Sequence, residues 1–276
     1  MSAVDWIGKH AVITGGSSGI GLATAEALAS RGADVTIVAR DVARLEAARE
    51  AVAARARSSA QRVAVVSGDV ASLEGAAKIV AQATEGGRAI DLLVSCAGVI
   101  IPGYFESMTP ESYETCMDSW RGCVYMARAA APGMMERRSG HVVNVSSVAG
   151  FMGIFGYTAY SSAKYATMGY TEALRSELHP YGVGVSVVCP PDTDTPGLTF
   201  EKSLRPAETD KVAGNIAAVP PSVVAEAIVR GVERGRYLIV PGALSKFYRV
   251  LKANALWLFF AITDGDVAAA RKARGL

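Results

Sequence analysis

HAVITGGSSGIG, residues 10–21, joins a short apolar strand to a glycine-rich turn and the start of an Ala-rich helix. Gly15, Gly19 and Gly21 stand in a G-x-x-x-G-x-G spacing, a variant of the strand–loop–helix unit that holds dinucleotide pyrophosphates. Glycine lets the backbone approach the phosphates and lets the helix begin close to the strand. The first amides of the helix, at Gly19 and Ile20, and the hydroxyls of Ser17 and Ser18 then meet the negative charge. The same residues match G-x-S-x-G, the nucleophile elbow of α/β-hydrolases, with Ser17 as nucleophile. That reading needs an acid and a histidine downstream, and it leaves Gly21 without a purpose.

Beyond residue 21, strands and helices alternate. Apolar runs at 34–39, 63–67, 91–95, from 142, at 183–189 and at 237–240 read as strands. Stretches of helical length separate them, with one exception at 190–221. Such alternation implies right-handed βαβ crossovers and a parallel sheet covered on both faces. The fold expected is α/β, a Rossmann-type doubly wound sheet in a single domain over 1–243. An amphipathic helical extension follows over 244–276. The helix opened by Thr109-Pro110 is expected to run to about Arg137, with an interruption near Pro132-Gly133.

Ligands of such sheets sit beyond the carboxyl ends of the strands. Ser17, Arg40, Asp69, Gly98, Ser147 and Pro190 all fall there. Arg40 ends the second strand, about 20 residues past the glycines, where an acid usually binds the ribose of NAD. A guanidinium there, with Arg44 one turn on, suits a 2′-phosphate, so NADPH/NADP+ is the cofactor expected. Asp69, followed by Val70, can accept from an adenine amino group.

VVNVSSVAGFMGIFGYTAYSSAK, residues 142–164, is a buried strand, a Ser/Gly break and a helix from about 157. Tyr160 and Lys164 lie four apart on one helix face. A nearby ammonium favours a phenolate, so the pair makes a general acid or base with its pKa lowered from about 10. Ser147 at the strand's end can offer a hydroxyl to the same reacting oxygen. Residues 190–221, which include Thr193, show little periodicity and are expected to close over substrate and nicotinamide.

At 276 residues, a net charge of +2 and a mean hydropathy of +0.25, the chain can bury a large core and makes no case for nucleic acid. Four dispersed cysteines read as buried thiols in a reducing, cytoplasmic setting, and the three histidines offer no metal pattern. His10 and His141 each precede a strand and read as structural. No secretory signal precedes the first strand. Near the C-terminus, KFYRVLKANALWLFFAI (246–262) sets Lys246, Arg249 and Lys252 beside Trp257, Phe259 and Phe260. Its uncharged run, Ala253–Thr263, is too short to cross a bilayer. It suits either a helix in a membrane interface, giving peripheral membrane contact, or one packed on its own subunit or a neighbour.

With these residues assembled, the chain resembles the short-chain dehydrogenase/reductase family over nearly its whole length. The resemblance rests on TGGSSGIG (14–21), Asp69-Val70 and the Ser147–Tyr160–Lys164 spacing. Within the family it is most similar to the branch that reduces 3-ketodihydrosphingosine, through Val38-Ala39-Arg40, FGYTAYSSAK (155–164) and PPDTDTPG (190–197). Most relatives carry Pro-Gly where this chain has Pro190-Pro191. The resemblance implies a long-chain lipid ketone as substrate and a homo-oligomer, dimer or tetramer, built on two long helices. It makes Tyr160 the proton donor and Lys164 the holder of the nicotinamide ribose. Ser147 orients the carbonyl, with Ser146 as its substitute at a spacing one residue longer. Gly15, Ser17, Ser18, Gly19, Ile20, Arg40, Arg44, Asp69, Val70, Gly98 and Thr193 join Tyr160 and Lys164 at the cofactor. Two departures stand out: Ser95-Cys96-Ala97-Gly98 replaces Asn-Asn-Ala-Gly, and Ser119 replaces the asparagine of the usual tetrad. Other readings are a reductase of a 3-oxoacyl or steroid ketone, or an NADP-binding protein without turnover.

Overall fold

The computed structural model describes residues 5–213 and 217–275. Seven parallel strands form one sheet in the order β3-β2-β1-β4-β5-β6-β7. They are β1 His10–Thr14, β2 Asp34–Ala39, β3 Val63–Ser67, β4 Leu92–Ser95, β5 His141–Val145, β6 Gly184–Val188 and β7 Leu238–Ile239. Helices α1 Gly19–Ala29, α2 Val42–Ala53 and α8 Pro221–Glu233 cover one face; α3 Leu73–Ala83, α4 Pro110–Arg137 and α5 Thr158–Leu178 cover the other. Successive strand side chains serve opposite layers, which is why the central strands are largely apolar. Along β1, Ala11 and Ile13 join the first layer and Val12 the second. Direction reverses between β1 and β4, and the crevice above that point is the ligand position in such sheets.

Local signals set several helix starts. Side chains of Asp41, Ser72 and Thr109 accept from backbone N–H groups at the starts of α2, α3 and α4. The expected interruption at Pro132 is absent: α4 runs unbroken past it. Ala130, Ala131 and Met134 are all buried in the same core layer, so packing on both sides of the proline holds the axis.

The stretch after β6 is more ordered than its composition predicts. It contains α6 Pro196–Lys202, capped by Thr195, and α7 Ala207–Ala213; residues 214–216 lie outside the described residues. Arg205, 2% exposed in its side chain, ties the segment down through Glu201 (2.5 Å) and Asp192 (2.8 Å). The C-terminal part is two helices rather than one, α9 Ala243–Asn254 and α10 Leu256–Ala273, broken at Ala255. Phe259 of α10 is buried against Val148 and Met152, and Arg274 donates to the Tyr104 hydroxyl at 2.7 Å. Helices α9 and α10 thus pack on the body of the domain. Among the described residues no helix is long and apolar enough to cross a membrane.

Both strand-leading histidines are structural. His10 Nδ1 meets the Ala89 carbonyl at 3.1 Å and so carries the proton, leaving Nε2 to accept from Thr36 at 2.8 Å. His141 Nε2 bonds Ser186 at 2.7 Å. Burial lowers both imidazoles to about 4. The unfolded chain therefore binds more protons between about 6.5 and about 4, and folding weakens as pH falls through that window. Urea midpoints should decline from pH 6.5 to about 5, above the ordinary carboxylate range; a flat profile would contradict two neutral buried imidazoles. Arg205→Met should cost about 3–5 kcal/mol in urea unfolding, because it strands Glu201 and Asp192 without their cation. Glu201→Gln should cost less, since Arg205 keeps Asp192.

Candidate active site

The turn after β1 is shaped by close backbone approach. Gly15 adopts φ +67°, and a Cβ there would lie 2.9 Å from the Ala97 backbone nitrogen. A Cβ on Gly21 would collide with the Gly15 carbonyl. The Thr14 hydroxyl accepts from the amides of Cys96 and Ala97 at 3.0 and 3.2 Å, which locks the turn after β4 against that after β1. Helix α1 begins with no side-chain cap at Ser18 and no acid in its first turn. Its leading N–H groups are therefore presented uncapped, as an anion such as a pyrophosphate requires.

Beyond β5 the two serines part. Ser146 donates to the Lys164 carbonyl at 2.9 Å and is buried, while Ser147 lines the cleft toward the Tyr160 hydroxyl, to which its own can donate. Ser147 also accepts from the Ala149 amide at 3.1 Å, which fixes its position. The structure thus separates the two candidates that spacing left adjacent. Lys164 is buried beneath the Tyr160 ring, Nζ 5.5 Å from the ring centre, and donates to the Val145 carbonyl at 3.1 Å. All four cysteines lie close enough to influence it electrostatically, yet burial pushes the Cys96, Cys123 and Cys189 thiols up to about 12, 11 and 12, so they remain neutral. Burial also lowers the Lys164 pKa.

The expected lowering of the Tyr160 pKa is not what the structure has. Burial raises it well above its ordinary value, the Ser147 hydrogen bond works in the opposite direction, and Glu201 and Asp192 add to the rise. The i, i+4 spacing does bring the ammonium near the ring. It does not by itself outweigh the loss of water around a phenol that is 7% exposed.

One cleft of about 400 Å³ collects Gly15, Ser17, Ser18, Gly19, Ile20, Gly98, Ser147, Tyr160, Lys164 and Thr193. Arg40, Arg44, Asp69 and Val70 stand outside its lining. Arg40 is exposed at the end of β2, and among the described residues its guanidinium has no ion pair; Arg44 pairs with Asp41 at 3.6 Å. Asp69 accepts from the Ala71 amide at 3.0 Å in a turn, and Val70 packs toward Gly122 on α4. Ser119 is buried and donates to the Cys116 carbonyl at 2.7 Å. The Ser17 elbow finds no partner: no histidine lines the cleft.

Sequence reasoning missed Tyr157, Asp192 and Glu201, which line the same cleft. Asp192 sits inside the PPDTDTPG stretch and Tyr157 three residues before Tyr160, so both carried a local signal. Glu201 carried none, because α6 reads as loop. Together these groups can protonate an oxygen held between Ser147 and Tyr160. The uncapped start of α1, together with a buried ammonium bonded to a single carbonyl, suits a phosphate-bearing, hydroxyl-rich nucleotide.

Comparison with known proteins agrees with this geometry. The short chain dehydrogenase family profile matches residues 9–204. A 3-ketodihydrosphingosine reductase of Bos taurus is 41% identical over 232 residues, covering 83% of this chain and 70% of the relative. One from Dictyostelium discoideum is 36% identical over 273 residues, covering 93% and 81%. Among solved structures, a short-chain dehydrogenase from Sphingobium yanoikuyae in complex with NADPH superposes with a TM-score of 0.75 at 26% identity, over 91% of this chain and 94% of that one. L-Sorbose reductase from Gluconobacter frateurii, complexed with NADPH and L-sorbose, gives 0.75 at 27% identity, over 87% and 99%. The chain belongs to the short chain dehydrogenase family, oxidoreductases that use a nicotinamide cofactor.

Proposed function

We propose that the protein reduces 3-ketodihydrosphingosine to dihydrosphingosine with NADPH. The observation that carries this reading is the gathering of Ser147, Tyr160, Lys164 and the glycine turn in one cleft, in a chain 41% identical to a reductase of that name. When bound, the reduced nicotinamide supplies hydride to the carbonyl carbon. Ser147 and Tyr160 hold the carbonyl oxygen, and Tyr160 passes its phenolic proton to that oxygen as charge builds on it. A phenol held above its ordinary pKa is fully protonated at neutral pH, the state a proton donor needs. Lys164, buried beneath the ring, offsets the phenolate left behind, and Ser119 takes the place of the tetrad asparagine without a defined relay role.

Arg40, with no ion pair among the described residues at the end of β2, supports NADPH over NADH through a 2′-phosphate. Asp69 would take the adenine amino group from outside the cleft lining, while Gly15, Ser17, Ser18, Gly19 and Ile20 hold the pyrophosphate. Thr193 and Gly98 flank the nicotinamide.

The C-terminal helices support peripheral contact with a lipid surface, where such a substrate resides. Phe247, Val250, Leu256, Trp257 and Phe260 are exposed, Trp257 at 75%, and Lys246 and Arg249 are exposed among them. Self-association uses the outer faces of α4 and α5, where Arg121 with Glu114 and Tyr165 lie.

Purified protein should consume NADPH, and NADH far more slowly, when supplied with 3-ketodihydrosphingosine. Tyr160→Phe should lower kcat by about 10²–10⁴-fold while NADPH binding persists. No reduction of this ketone by the unaltered chain would sink the assignment. In flotation with anionic vesicles, the pair Trp257→Ser and Phe260→Ser should reduce the bound fraction without shifting Tm; equal flotation would remove the membrane contact.

A further inference from the structure

The reductase reading leaves a set of charges in the cleft wall without a task. Tyr157 stacks edge-on to Tyr160, ring centres 5.6 Å apart at 81°, and its hydroxyl donates to Glu201. Arg205 reaches the same carboxylate through Nε at 2.7 Å and Nη2 at 2.5 Å, and all three donors converge on one oxygen, Oε1. Arg205 also meets Asp192 at 2.8 Å and Asp210 at 3.7 Å. Three carboxylates therefore surround one guanidinium. Asp210 is 57% exposed and screened by water, but Glu201 is 3% exposed in its side chain and Asp192 25%, so the charge these two carry beyond Arg205 is screened poorly.

This excess borders the reacting centre. Glu201 and Asp192 line the cleft that contains Ser147 and Tyr160, and both act electrostatically on the Tyr160 hydroxyl. Burial pushes the Glu201 carboxyl above the usual carboxylate range, against the lowering from Tyr157 and Arg205. A buried carboxylate that one shared cation does not neutralise is costly, and a second cation arriving in the cleft relieves it. A pinning role for the α6 segment needs only as much negative charge as Arg205 carries positive. The surplus asks for a ligand.

In a 2-amino ketone the amine is borne on the carbon next to the carbonyl. When the carbonyl oxygen lies at Tyr160, the ammonium must lie in the same small region of the cleft. We propose that Glu201, supported by Asp192, accepts the substrate's ammonium and makes this cleft selective for 2-amino ketones over ketones of equal length without the amine. The inference rests on the reductase reading and deepens it, since it names the group by which the enzyme tells its substrate from other greasy ketones.

Two measurements test it. The first compares kcat/KM for 3-ketodihydrosphingosine and for its desamino hydroxyketone with NADPH in mixed micelles. The second measures calorimetric binding of dihydrosphingosine and of its desamino diol to the NADP+-loaded protein, which needs no turnover. The unaltered chain should favour the amine in both by about 10–100-fold, the range of a charge-assisted hydrogen bond. Glu201→Gln should bring both ratios near one, and Glu201→Asp should restore part of the preference. Should Glu201→Gln fail to fold by Tm, Asp192→Asn and Glu201→Asp carry the comparison, each with a reduced ratio. A ratio near one in the unaltered chain, or equal loss on both ketones in Glu201→Gln, overturns the ammonium site. If neither ketone is reduced while amine binding still depends on Glu201, the reductase reading falls and the ammonium site stands.

Discussion

A buried ammonium organises this molecule. Lys164 sits under the Tyr160 ring with the Val145 carbonyl as its described acceptor, which ties α5 to the end of β5. Charge is expensive in such a place, and the surrounding thiols are held neutral by the same burial that lowers the lysine's pKa. The cost is tolerated because the strand end supplies a carbonyl and the cleft supplies room for a hydroxyl-bearing ligand. Every functional element then follows from where α5 is pinned. Tyr160 is one turn before Lys164, Tyr157 is at the helix start, and Ser147 comes from the strand that Lys164 grips.

The electrostatics of the phenol come from opposing sources. Burial and the acids of the cleft wall favour the neutral form, whereas the Ser147 hydrogen bond favours the ionised one. A protein that used Tyr160 as a base would want the opposite balance. The acids that hold the proton on Tyr160 are also those that outnumber Arg205 in the cleft wall. Proton donation and attraction for a cation thus arise from one arrangement of Glu201, Asp192 and Arg205.

The C-terminal helices belong to the catalytic body through one face and to its surroundings through the other. Phe259 inserts beside Val148 and Met152, directly after the Ser147 turn, and Lys252 donates to the Phe151 carbonyl at 2.8 Å. The opposite side carries exposed aromatics and cations. Of the two readings that the sequence left open for this segment, packing on its own subunit describes one face, and the exposed face is the one the proposed surface contact would use.

The succession of strands and helices along the chain, the glycine turn, the Ser147–Tyr160–Lys164 constellation and the cap-then-proline start of α4 were legible because each is local: a period, a φ requirement or an i, i+4 spacing writes it directly into the chain. Packing decided what those patterns could not. It carried α4 unbroken past Pro132, engaged Ser146 with the Lys164 carbonyl and left Ser147 toward Tyr160, ordered α6 and α7 where composition reads as loop, and broke the last helix at Ala255. Most of all it set the sign of the Tyr160 shift. Spacing places a lysine near a tyrosine, but desolvation and the approach of Glu201 from 41 residues away depend on how distant segments close over the ring. Local sequence determined which groups gather at the sheet's edge; only the tertiary structure determined how much water and which charges they share.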